Sequence, residues 1–194
     1  MSGERPRSDG RSDGRSDPRA DPRADPNCEV SFCAGDGCDA QLDCATLARV
    51  FSSLVKHFAR PIARVDARIV GDAAMDAAHQ QFSGIAGTTD VLSFPAHDGD
   101  ASDCAAVEVD LIICSDAASR EATLRGHPME RELLLYAVHG TLHACGWRDD
   151  EVAAAASMHV EEDRILRAGG IGVVYACNAD RPDRGNTAPE TPTA

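Results

Sequence analysis

Apolar residues recur with regular spacing between Cys28 and Cys177 and are sparse outside that span. From Leu42 to Phe58 the period is helical, putting Leu47, Val50, Phe51, Leu54 and Phe58 on one face. Val30–Cys33 is a short strand candidate, and Val65–Val70 alternates and ends at Gly71. Asp72–Phe82 is alanine-rich and reads as a helix; Gly84–Thr88 reads as a loop. Val91–Phe94 and Val107–Cys114 follow as strands, the second with the β-branched density of a central strand (Val109, Ile112, Ile113). Asp116–Arg125 reads as a helix capped by Asp116. Pro128 opens the next helix at its first turn, where a missing N–H costs nothing, and Glu130 and Glu132 suit the positive end of its dipole. That helix runs to about Cys145 and stops at Gly146; a last one follows Asp150 and continues to about Arg167, before Gly169 and Gly170. The order predicts one α+β domain over residues 28–177.

Two tails flank it. From Arg7 to Pro26 the chain repeats RSDG, RSDG, RSDP, RADP, RADP, with no apolar face, and residues 178–194 are similarly polar. Neither buries enough surface to offset its ordering entropy, so both 1–27 and 178–194 are expected to be disordered.

Composition sharpens the picture. In 194 residues, 43% are hydrophobic but only 4% aromatic, so the core must come mainly from Ala, Val, Leu and Ile. The net charge of −13 argues against a broad basic grip on nucleic acid, though not against a local site. The first 27 residues are neutral and the last 17 carry −1, so −12 belongs to the domain. The longest clear apolar run, Leu133–Val138, falls far short of the ~20 residues of a membrane span. The N-terminus lacks a signal-peptide apolar segment, and a soluble cytoplasmic protein is expected. Eight cysteines without an export signal read mainly as reduced thiols; Cys28, Cys33, Cys38 and Cys44 lack the two-residue gap of a zinc knuckle.

The stretch His139-Gly-Thr-Leu-His143-Ala-Cys-Gly146-Trp-Arg-Asp149 carries the chemistry. Histidines at i and i+4 share one helix face and can bind one Zn²⁺. Gly146 lets the chain turn back, so Asp149 can add a third ligand and leave one position open, the catalytic arrangement. Such a histidine pair also occurs without metal, and Asp149 could instead cap the helix after Asp150. The spacing resembles a zinc-peptidase pattern, but Gly140 stands where that pattern has its glutamate, which disfavours peptide hydrolysis. Cys145, about 200° around the helix from His143, should face away from the metal.

A second segment, Thr89-Asp90-Val-Leu-Ser-Phe94-Pro95, matches a TDVLSFP signature at every position. With the strand beginning Val109-Asp110-Leu111 and the histidine segment, it resembles the YbeY family of bacterial rRNA-maturation endoribonucleases over roughly residues 45–168. The resemblance implies a small mixed β-sheet with helices mainly on one face and the metal site on a central helix and the following turn. It implies one Zn²⁺ held by His139, His143 and Asp149. It also implies hydrolysis of single-stranded RNA at the 3′ end of small-subunit rRNA, and ribosome quality control. Partners would be rRNA, the small ribosomal subunit and a ribosomal or assembly-factor protein, with neither DNA nor membrane. Two departures stand out: Asp149 replaces the family's usual histidine, and His79 and Ser83 occupy positions where the family often has Asn and a phosphate-suited Arg. Asp90 and Asp110 are candidate proton acceptors, Arg148 a candidate phosphate contact, and Trp147 a base-stacking surface or a core plug. A non-catalytic, metal-stabilised ribosome assembly factor is the alternative.

Overall fold

The computed structural model describes residues 28–39, 41–96 and 106–175; the two expected tails lie outside them. The elements run β1 (Glu29–Ala34), α1 (Cys44–Val55), β2 (Ile62–Val70), α2 (Asp72–Ser83), β3 (Val91–Pro95), β4 (Val107–Cys114), α3 (Ser115–Arg125), α4 (Met129–Ala144) and α5 (Val152–Ala168). The four strands form one mixed sheet in the order β1-β2-β4-β3. β1, β2 and β4 are parallel, and β3 runs antiparallel along β4 at the edge.

The two-residue alternation of the strands decides which layer forms on each face. Val65, Ala67 and Ile69 of β2 and Val107, Val109, Leu111 and Ile113 of β4 are buried in the main core with Phe51 and Leu54 of α1, Leu133 to Val138 of α4, and Met158, Ile165 and Leu166 of α5. The other face is covered in part by α2, whose Met75 packs with Val70 and Cys114. Elsewhere on that face Arg64 bonds Asp66, and reaches Asp110 at 2.6 Å and Glu108 at 3.4 Å. The fold is thus α+β, with the helices mainly on one face.

Local chemistry moved some element ends. α1 starts at Cys44 rather than Leu42, because the Asp43 carboxylate accepts the Thr46 N–H and fixes the N-cap. α3 is capped by Cys114, not Asp116. Asp116 lies inside the first turn, and its carboxylate accepts the backbone N–H of Asp72, tying α3 to α2. Pro128 is the N-cap of α4 rather than its first helical residue. At the end of the described chain, Asp163 of α5 is buried and accepts the amides of Val174 (2.6 Å) and Tyr175 (3.2 Å).

Helix α4 is the central element. Ten of its residues, including Glu132 and Thr141, are buried, so it has no wet face in the usual sense. Gly140 lets it approach the sheet: a Cβ there would sit 2.7 Å from both the Leu111 Cδ2 and the Ser93 Oγ. The Ser93 hydroxyl donates to the Gly140 carbonyl at 2.8 Å. The strand and helix signature segments are therefore joined by direct contact.

Candidate metal centre

His139 and His143 lie one turn apart on α4, their rings edge to face with centroids 4.6 Å apart. Their Nε2 atoms face each other at 3.0 Å. Beyond His143 the helix ends at Cys145, and Gly146, with φ +96°, reverses the chain. The reversal brings the Asp149 carboxylate back, Oδ2 3.6 Å from His139 Nε2 and Oδ1 3.7 Å from His143 Nε2. Donors at zinc-bond length around a tetrahedral ion would be separated by about 3.3 Å, and the three observed distances bracket that spacing. Among the described residues this is the one group of three metal-ligating side chains within reach of a common ion.

The outer hydrogen bonds prepare both rings as ligands. His143 Nδ1 lies 3.0 Å from the Trp147 carbonyl, which only accepts, so Nδ1 carries the proton and Nε2 keeps its lone pair. His139 Nδ1 lies 2.6 Å from Glu162 Oε1. Glu162 is fully buried on α5, and its Oε2 has no hydrogen-bond partner among the described residues. Donation from His139 to this carboxylate aims a second lone pair at the first. Two acceptors 3.0 Å apart repel unless a proton or metal ion stands between them, which is why these residues fit a cation. Burial works against a charged His139, but the hydrogen bond and charge of Glu162, with Asp90 and Asp149, outweigh it and raise its pKa.

Glu162 escaped the sequence reading. Its signal was a carboxylate on the apolar stripe of α5, four residues after Met158 and three before Ile165. Neither Asp149 nor Asp150 caps α5: its N-cap is Glu151, without a side-chain bond, and Asp150 is ion-paired with Arg148 at 2.6 Å. Arg148 and Asp149 line an open cavity of about 410 Å³ with His143 and Trp147. The Trp147 indole packs against the core. Cys145 is not part of the ligand group; burial pushes its thiol up to about 11.

Asp90 lies outside the ligand group. Its Oδ1 accepts the Thr89 hydroxyl and the Val91 amide. Asp110 pairs in register with Phe94 and projects with Arg64 onto the face away from α4, which removes it as a proton acceptor. His79 holds the loop after α2, its Nδ1 2.8 Å from the Gly87 carbonyl while Asp76 accepts the Gly87 amide. Cys33, Cys38, Cys44, Cys114 and Cys145 are free thiols, and no helix among the described residues is long and apolar enough to cross a membrane.

Comparison with known proteins bears on the same stretch. The profile of the family described as Endoribonuclease YbeY matches residues 38–170. The chain is similar to an Endoribonuclease YbeY of Frankia casuarinae, 35% identical over 130 residues, covering 63% of this chain and 64% of the relative. A Moorella thermoacetica protein of the same name is 34% identical over 116 residues, 56% of this chain and 74% of the relative. A Thermotoga maritima protein solved in solution overlays with a TM-score of 0.47 at 20% identity, over 71% of this chain and 88% of that one.

Proposed function

This chain belongs to the YbeY family, and from that premise we propose that it is a zinc-dependent single-strand endoribonuclease of the cytoplasm. Its proposed substrate is the 3′ end of small-subunit rRNA, with a further part in ribosome quality control. The catalytic unit is residues 28–177. Its partners are rRNA, the small ribosomal subunit and a ribosomal or assembly-factor protein. The observation that carries the reading is the convergence of His139, His143 and Asp149, with both imidazole lone pairs aimed at one point.

In this reading those three residues hold one Zn²⁺, which supplies Lewis acidity toward a phosphoryl oxygen and an acidified water. Glu162 and the Trp147 carbonyl keep the two rings in the ligating tautomer. A carboxylate third ligand donates more negative charge than histidine would and tempers the Lewis acidity. Arg148 exchanges its exposed pairing with Asp150 for a substrate phosphate. Asp90, one oxygen of which is held by Thr89 and Val91, accepts a proton with the other.

The test is zinc per chain by elemental mass spectrometry, followed by cleavage of an rRNA precursor, with Asp149→Ala alongside. About one zinc in the wild type, much less in the variant, and loss of cleavage with RNA association retained are expected. Wild-type cleavage by Asp149→Ala would refute the ligand set. Ser83 in the usual arginine position and the pairing of Arg148 favour the second reading, a metal-stabilised assembly factor without turnover. That reading predicts zinc and rRNA association with no cleavage.

A further inference from the structure

One turn before His139 on the same helix, Tyr136 is 5% exposed, yet its hydroxyl has no hydrogen-bond partner among the described residues. It lines a cavity of about 390 Å³ with Thr88, Thr89, Asp90, Arg125 and Tyr175. Tyr136 and His139 are three residues apart on α4, so one side of this helix serves both the cavity and the ligand group.

The lining selects a ligand. A bare phosphate would find little free positive charge. Arg125 is committed to Glu132 at 2.6 Å and Glu121 at 3.1 Å, and Arg120 at the rim to Asp72 at 2.6 Å. What the cavity offers instead is the edges of two phenols, two threonine hydroxyls and the carboxylates of Asp90 and Glu121. Tyr175 is half-buried, stacked on His159 and covered by the Arg125 guanidinium. Burial first, then the Glu132 and Asp90 carboxylates, keep the Tyr136 phenol protonated and therefore a donor. The Thr88 hydroxyl can donate or accept, the Thr89 hydroxyl, whose proton goes to Asp90, can accept, and Glu121 pairs with Arg125 through Oε2 alone among the described residues. A planar ring with carbonyl or ring-nitrogen acceptors beside N–H donors satisfies this set.

We infer that the cavity beside Tyr136 is a nucleobase-binding subsite, holding one unstacked base of the RNA strand next to the metal centre. The choice of ligand rests on the endoribonuclease reading; the site itself rests on the orphan phenol and the lining. The phenol satisfies an acceptor on the base edge, and withdrawing that bond leaves a buried polar group on the ligand unpaired.

The test compares nucleoside 5′-monophosphates with ribose 5-phosphate, identical but for the base, on the full-length zinc-loaded protein by ligand-observed NMR titration. The nucleotides should bind at least about tenfold more tightly. Tyr136→Phe, which removes one oxygen, should erase most of that advantage, about tenfold for one lost hydrogen bond. Ala117→Leu, which fills the cavity from α3, should do the same while leaving ribose 5-phosphate binding as it was. Equal binding of the two probes by the wild type would overturn the inference, as would an undiminished base preference in both variants, each folded by thermal unfolding. The two readings fail separately. Base preference without rRNA cleavage would sink the nuclease and keep the subsite, and cleavage without base preference would do the reverse.

Discussion

Gly140 is where the two signature segments touch, and its lack of a side chain is a packing requirement. Gly140→Ala must push Leu111 or Ser93 aside, one of them bonded to the helix itself. Overpacking of this kind costs about 1–3 kcal/mol, so a lowered midpoint of urea unfolding is expected; an unchanged midpoint would mean that α4 rides higher on the sheet than described. Glu162 makes the complementary case of a residue acting through another. Glu162→Gln keeps the shape but replaces a charged acceptor, loosening the hold on His139. Zinc affinity should fall about 10–100-fold in competition with a chromophoric chelator, with little change in fold. Neither role was legible in the sequence. Gly140 read as a missing glutamate, and Glu162 as one acid among several on α5, because both roles exist only once α4 meets β3 and α5.

Elements governed by strong local rules are legible in the sequence. β4 was placed at Val107–Cys114, its full extent, because its core-facing positions alternate without interruption. α2 was placed to within one residue, since Gly84 in the left-handed conformation ends it. β2 begins at Ile62, three residues earlier than its alternation suggests, where a register irregularity between Ile62 and Arg64 breaks the pattern. The approach of Asp149 to the histidines was readable as a possibility from i, i+4 spacing plus a glycine turn; its competing capping role failed because Glu151 took that position. The junction of β4 and α3 carries a pH signature. Cys114, fully buried there, has its thiol pushed up to about 11, mainly by burial. Between the ordinary thiol value near 8.5 and 11 the unfolded chain loses this proton while the folded chain keeps it. The folded state then binds more protons, so stability falls as pH rises through that window, by at most about 1.4 kcal/mol per pH unit. Urea unfolding at pH 8 and pH 10 should show a smaller loss in Cys114→Ala than in the wild type; equal losses would contradict the assignment.

At the scale of the whole molecule the charge of −13 sets the terms on which the proposed RNA substrate would be met. The described arginines nearest the candidate sites are paired: Arg148 with Asp150, Arg125 with Glu132 and Arg120 with Asp72. Few phosphates can then be neutralised, and counterion release should be small. The slope of log affinity against log salt for a single-stranded RNA is expected near −1 to −2, whereas a slope beyond about −4 would indicate a basic track elsewhere on the chain. Similarity to the family ends at residue 170, yet Asp163 draws two amide donors from Val174 and Tyr175. A protein trimmed to the matched segment would therefore lose a clasp on its final helix and be prone to fray and precipitate, while one trimmed after Tyr175 keeps it. The usable boundary for expression lies five residues beyond the one that similarity draws.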